Sequence, residues 1–401
     1  MQTLRPYHRA AALALTAALS PAYAADAPQA GNQYNPRISL ILNSTYADFS
    51  SKAPAAVPGF LLGDSAGFTR SGISLGETEL AAEANIDDVV HGWVTLSLAP
   101  EGGVGVEEAF VNTLALPYGF AAKLGRFFSD IGYQNHQHAH AWEFADAPLV
   151  YRAMLNNQLG DDGLQVRWLA PTDLLVELGG EVLRGDAFPA GGANRSGATN
   201  SIAAFVHVGG DAGTGGSWRV GLSHLKANAD NRLTGDKIQT SFTGNSGLSI
   251  LDLVYKWAPD GNPSVTNFVG QAEFFYRKED GNVVYDPSGT PNTSAYQGNQ
   301  EGFYLQGVYQ FMPRWRAGLR YDQLSANNTV TNPVPGTALE TLADNTRDPR
   351  RYSVMSDFSN SEFSRVRLQY NHDLSRPNGV ADNQLLVQFI FSMGSHPAHQ
   401  F

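Results

Sequence analysis

Beyond residue 24 the chain alternates apolar and polar residues with a period of two nearly everywhere, and that period is the strongest constraint on its fold. Successive side chains of a strand point to opposite faces, so strict alternation makes one face apolar and the other polar. In LDLVYKWAP, Leu251, Leu253, Tyr255 and Trp257 share one face, and Asp252, Val254 and Lys256 share the other. In FVGQAEFFYRK, Gln271, Glu273 and Arg277 lie opposite Phe274 and Tyr276. SRVRLQYN sets Arg365, Arg367, Gln369 and Asn371 against Val366, Leu368 and Tyr370. QLLVQFIFSM puts Leu385, Val387, Phe389, Phe391 and Met393 on one face. About 16 such segments begin near 36, 72, 90, 104, 120, 163, 174, 201, 217, 247, 266, 301, 315, 351, 362 and 383. Strands of roughly ten residues with one apolar face are the pattern of an all-β, antiparallel transmembrane β-barrel.

The connections alternate short and long, as barrels with short periplasmic turns and long extracellular loops require. Short ones are LPYG (116–119), APTD (170–173), MPR (312–314) and SNS (359–361). Long ones cover 50–71, 129–162, 185–200, 227–246, 280–300 and 325–350, with APEGG (99–103) a short member on the long side. An even strand count brings both ends of the barrel to the periplasmic side. Trp168, Trp218, Trp257 and Trp315 all fall on the apolar face, each beside a short connection. Amphipathic rings collect at the membrane–water boundary, so these four form the expected periplasmic girdle. A soluble sandwich gives no reason for such one-sided clustering.

Residues 1–24 read as a secretory signal peptide: Arg5 and Arg9 precede AAALALTAAL, and Ala22-Tyr23-Ala24 is a small-residue cleavage site. Residues 25–35 are then a short periplasmic segment and 36–401 the barrel, placed in the bacterial outer membrane with lipid against its apolar face. The absence of cysteine excludes a disulfide framework, a thiolate metal site and a cysteine nucleophile. No run of 18 apolar residues occurs past the signal peptide, so no transmembrane helix is expected. A formal net charge of -11 argues against nucleic acid as a partner.

GRFFSDIG, followed by ADAPL and then GDDGLQVRW, resembles the segment around the third extracellular loop of the phosphate-selective porin O/P-type channels. NSEFSRVRLQYNHD and the ending FSMGSHPAHQF are more similar still to outer-membrane proteins labelled zinc-regulated, TonB-dependent receptors. The resemblance covers most of the chain past the signal peptide and implies the same barrel. A TonB-dependent receptor also carries a plug domain before its barrel. Residues 25–35 are too short for one, so energised transport is not expected here.

The charged residues of the polar face are the first candidates for function. Glu77, Glu79 and Glu83, then Arg167, Glu177 and Glu181, then Arg219, Lys256, Glu273, Arg277, Arg316, Arg320, Arg365 and Arg367 would line the lumen, where charge sets which solutes pass. Acids dominate the early strands and cations the later ones. A closed sheet sets the two groups on roughly opposite walls, with Asp252, Glu273 and Asp322 pairing locally with Lys256, Arg277 and Arg320.

The second candidate is the connection 129–162. Trp142, Phe144, Leu149 and Met154 make it too apolar to remain in water. It is expected to fold back and narrow the pore, tied by Arg152, Asp161 and Asp162. His136, His138 and His140 alternate within it, and imidazoles at this spacing suit zinc, with Glu143 or Asp146 as an oxygen ligand. His396 and His399 belong to a tail at the periplasmic face.

GDSAG (63–67) matches G-x-S-x-G around Ser65, but that motif needs a strand-to-helix turn over a parallel sheet. Here it lies in a long connection, so no enzyme and no required cofactor are expected. Two functions stay open. One is a porin passing small hydrophilic or charged solutes, since barrels of this size keep an aqueous lumen. The other is a receptor that takes zinc through the histidine loop. The sequence leaves open whether the barrel associates as a homotrimer.

Overall fold

The structure, a computed structural model, describes residues 35–394 except 52–55, 67–70, 77, 99–102, 192–198, 236–239, 260, 287–288 and 378. The signal peptide, Glu77, His396 and His399 lie outside the described residues.

The strands are β1 (Arg37–Phe49), β2 (Gly72–Leu75), β3 (Thr78–Asn85), β4 (Val90–Leu98), β5 (Val104–Thr113), β6 (Phe120–Phe128), β7 (Gly160–Leu169), β8 (Leu175–Leu183) and β9 (Ser201–Asp211). They continue with β10 (Gly216–Leu233), β11 (Thr240–Trp257), β12 (Asn267–Tyr285), β13 (Asn292–Met312), β14 (Trp315–Val330), β15 (Arg350–Ser361), β16 (Ser364–Asp373) and β17 (Asp382–Gly394). From β3 onward each strand pairs antiparallel with the next in sequence, and β1 pairs with β17, which closes the ring. β2 and β3 are two pieces of one strand: both lie along β1, opposite Ser44–Ala47 and Arg37–Ile41 respectively. The result is a closed 16-stranded barrel.

Alternation works as the sequence implied, with the inside polar. Leu319 on the outer face is 67% exposed, while Arg277, Arg351 and Arg367 are among the largest fully buried side chains. Trp257 and Trp315 face outward beside the connections 258–266 and 313–314. Trp168 donates its Nε1–H to the Tyr118 carbonyl at 3.0 Å in the adjacent turn.

Three expectations about the connections need correction. β10 to β13 run for 18, 18, 19 and 21 residues, so 227–246 and 280–300 are largely paired strand rather than loop. Roughly ten residues span a bilayer. Above it both faces are polar and the alternation fades, although the backbone ladder continues. The SNS segment ends β15, and the turn lies at 362–363. Asp161 and Asp162 belong to β7, leaving 129–159 as the connection.

Candidate functional site

The connection 129–159 lies inside the barrel because its apolar side chains find partners only there. It contains the helix α1 (Leu149–Leu155), in which Val150, Tyr151, Met154 and Leu155 are fully buried. Tyr151 meets Phe275 of β12 edge-on at 4.9 Å, within a cluster that includes Leu248, Ile250, Tyr304 and Leu324 of the wall. Each such side chain contributes about 1.5–3 kcal/mol by leaving water. The left-handed Asn156 (φ 51°) ends the helix.

Polar ties then fix the loop to wall after wall. Ser129 Oγ donates to Glu181 at 2.5 Å, and the Asp130 amide donates to the same carboxylate at 2.9 Å. Glu273 accepts the Tyr133 and Gln134 amides at 3.1 Å each, the Tyr151 hydroxyl at 2.8 Å and the Tyr304 hydroxyl at 2.6 Å. Asp146 accepts from Arg320 at 2.5 Å, Arg351 at 2.7 Å, Gln369 at 2.7 Å and Asn371 at 3.3 Å. The Leu149 amide donates to Asp322 at 2.7 Å, and Arg316 bridges Glu143 at 2.7 Å and Asp357 at 2.6 Å. Burial alone would raise the Asp146 carboxyl; Arg351 and Arg320 outweigh it and hold Asp146 well below the usual carboxylate range.

Across the ring the loop meets acids. His138 Nδ1 stands 3.3 Å from Glu79 and 3.4 Å from Glu107, and its Nε2 stands 3.0 Å from Glu108. His140 Nδ1 stands 2.8 Å from the other Glu79 oxygen. Glu107 and Glu108 are neighbours on β5, yet both side chains reach this cluster. The β4–β5 register shifts here, with Thr95 opposite Glu108 and Leu96 opposite Val106, so Glu107 is the extra residue of a bulge. Burial alone would lower His138, but Glu107, Glu108 and Glu79 outweigh it and raise the imidazole well above 6.5.

His136 is not in this group: its ring meets Tyr133 edge-on at 5.9 Å, and burial lowers it to about 4. A cavity of about 400 Å³ on one side of the cluster is lined by Glu79, Glu83, Glu108, Lys123, His136 and His138. A second, of about 500 Å³, is lined by Glu107, Arg126, Trp142, Asp146 and Arg152.

The other sequence candidates also sit on the inner face. Glu83 pairs with Arg37 at 2.7 Å and His91 at 3.2 Å, and Glu177 with His207 at 3.0 Å and Arg167 at 3.3 Å. Arg367 reaches Gln388 at 3.0 Å, and Arg365 reaches Ser359 at 3.4 Å. Arg320 does pair with Asp322, at 3.1 Å. Two expected pairs are replaced. Asp252 lies nearest Arg219, at 3.8 Å, and Glu273 accepts from tyrosines while Arg277 bonds Gln300 at 2.7 Å and lies 3.9 Å from Glu279. Lys256 lies over the Tyr133 ring at 5.9 Å. Arg152 donates to the Ala66 carbonyl at 2.6 Å, tying the loop to the connection 50–71. Asp162 is tied to Arg126 at 3.2 Å, and Asp161 accepts the Gly185 and Asp186 amides at 2.6 and 2.9 Å.

No protein-family model matches the chain. It is 32% identical over 351 residues to an uncharacterized protein of Aquifex aeolicus (strain VF5), covering 83% of this chain and 71% of that one. Among solved structures it is similar to the anion-selective porin from Comamonas acidovorans, with a TM-score of 0.54, 13% identity and coverage of 90% and 99%. The outer membrane channel DcaP of Acinetobacter baumannii matches with a TM-score of 0.51, 14% identity and coverage of 90% and 96%. OmpT of Vibrio cholerae in a trimer form matches with a TM-score of 0.52, 12% identity and coverage of 90% and 99%. The shared fold is the outer-membrane porin-like barrel.

Proposed function

The chain belongs to one family with the Aquifex aeolicus protein, and on its porin-like frame we propose that it is a passive outer-membrane channel for small hydrophilic or charged solutes. The observation that carries this reading is a lumen lined by charged side chains and divided by the loop 129–159, with a cavity of about 400 Å³ on one side and about 500 Å³ on the other. The loop is the constriction. What supports this is its reach, since its ties extend to β3, β5, β8, β12, β14, β15 and β16. A polar passage between charged walls favours solutes that replace ordered water with their own hydrogen bonds. Planar-bilayer recording tests this: removing residues 136–146 should raise single-channel conductance. A channel of unchanged conductance means that the loop does not set the pore. Assembly as a homotrimer is part of the same proposal, read by the mass of the detergent-solubilised protein.

A further inference from the structure

We propose that His138, Glu79 and Glu107 form a binding site for a divalent transition-metal ion, fastening the loop 129–159 to the wall where the two cavities meet. One ligand atom from each of these residues lies within 4.8 Å of the others. His138 Nδ1 is 3.3 Å from Glu79 Oε2 and 3.4 Å from Glu107 Oε2. Tetrahedral bonds of about 2.1 Å to nitrogen and oxygen would separate ligands by about 3.4 Å.

These contacts do not satisfy the atoms as hydrogen bonds. Nδ1 of His138 and both Glu107 carboxylate oxygens are buried without a hydrogen-bond partner, and the Glu107 side chain is 7% exposed. Three buried carboxylates outnumber the one imidazole between them, and the excess negative charge is costly unless a further cation joins it. The β5 bulge is an independent sign of construction. Without it Glu107 would face lipid, and bulges commonly re-aim a side chain at functional positions.

The surroundings complete a metal site's outer layer. Glu108 lies 3.0 Å from His138 Nε2, so it can keep that N–H while an arriving ion displaces the Nδ1 proton and takes its lone pair, the usual carboxylate–histidine–metal arrangement. His140 Nδ1 holds the remaining Glu79 oxygen at 2.8 Å. One imidazole nitrogen with carboxylate oxygens suits zinc or its neighbours; calcium and magnesium prefer oxygen throughout. Three protein ligands leave a fourth position for water or solute.

The inference stands on this geometry and does not depend on the porin reading. Zinc titration by calorimetry, with cobalt absorption as a geometric readout, tests it on the purified full-length mature barrel. One ion should bind per chain, and cobalt should give the intense visible bands of a tetrahedral site. Glu107→Gln and His138→Ala should each weaken binding by more than about tenfold, while His136→Ala binds as the parent does. Heat-modifiable electrophoretic migration reports whether each variant is folded, and Glu107→Gln keeps the side chain's size. No stoichiometric zinc binding by the parent overturns the proposal, as does parent-like binding by folded Glu107→Gln.

Discussion

The loop meets its two walls in different ways. Against β14–β16, Asp146 receives two guanidiniums and two amides, and Leu149, Glu143 and Ala145 add further bonds. Against β3 and β5, three carboxylates crowd His138, and Glu107 keeps both oxygens without a hydrogen bond. Charge sets this arrangement: Glu143 and Asp146 of the loop turn to the arginine wall and two of its histidines to the acidic wall. A fully satisfied buried network holds a structure in place, whereas a half-satisfied one destabilises it unless another species completes it. The arginine side therefore reads as an anchor and the acidic side as a site.

The largest expected effect is on the anchor. Asp146→Ala leaves Arg320 and Arg351 buried beside each other with Asp322 as their remaining shared acid. Removing one partner of a buried ion network costs about 3–5 kcal/mol. The lumen end of the loop should detach, raising conductance and lowering the urea midpoint. A variant with parental conductance and stability would erase the distinction between the two sides.

Glu107→Gln should have the opposite sign in the absence of metal. Three carboxylates share one imidazole, so the repulsion from Glu79 and Glu108 that the change removes outweighs the pair with His138 at 3.4 Å, and metal-free stability should rise by about 1 kcal/mol, within the range for an unsatisfied buried group. With zinc present the order should reverse, because the parent gains binding energy that the variant loses. Urea unfolding with chelator and with zinc reads both halves. A destabilised chelator-treated variant would show that Glu107 already has its partner in the protein.

How these residues became visible follows from what alternation can carry. A period of two fixed the inner face of nearly every strand, including Arg277, Arg367 and Glu181, because one misplaced residue would put a charge against lipid. It placed 14 of the 16 strand starts within a few residues; the exceptions, Thr240 and Asn292, lie where both faces are polar. The same rule hid Glu107. Strict alternation assigns adjacent glutamates to opposite faces, and a bulge leaves no compositional trace. Asp146 was visible only as a metal ligand of the loop, because its arginine partners lie more than 170 residues away, at separations of 174 and 205. The sequence offered the three alternating histidines together as zinc ligands. The loop's folding instead keeps His138 and His140 together at 5.7 Å and turns His136 to Tyr133.

A smaller effect concerns selectivity. Changing Arg365 and Arg367 to glutamine, which leaves the bonds of Arg316 and Arg320 to the loop in place, should move the reversal potential toward cations at low salt, where screening is weak. Glutamine at Glu79 and Glu83 should move it the other way. Both shifts should be modest, since Arg316 and Arg367 share Asp357 and Glu83 already holds Arg37. If neither set shifts the potential, the walls do not border the conducting path.

The smallest expected effect is an absence of change, and it separates anchor from site by pH. Asp146 lies in the loop, and its folded pKa is held below the ordinary carboxylate value of 3.8. A depressed pKa contributes stability that is fully present above the unfolded value and is lost only as pH falls through the folded one. The anchor should therefore hold from pH 7 down to about pH 4, where ordinary carboxylates begin to protonate. It should release only in stronger acid. Conductance should stay flat over the upper range and climb below it, and Asp146→Asn, which cannot titrate, should lose that acid step. An acid step of parental size and midpoint in Asp146→Asn would place the pH-sensitive tie elsewhere in the lumen and leave the arginine wall without its assigned role.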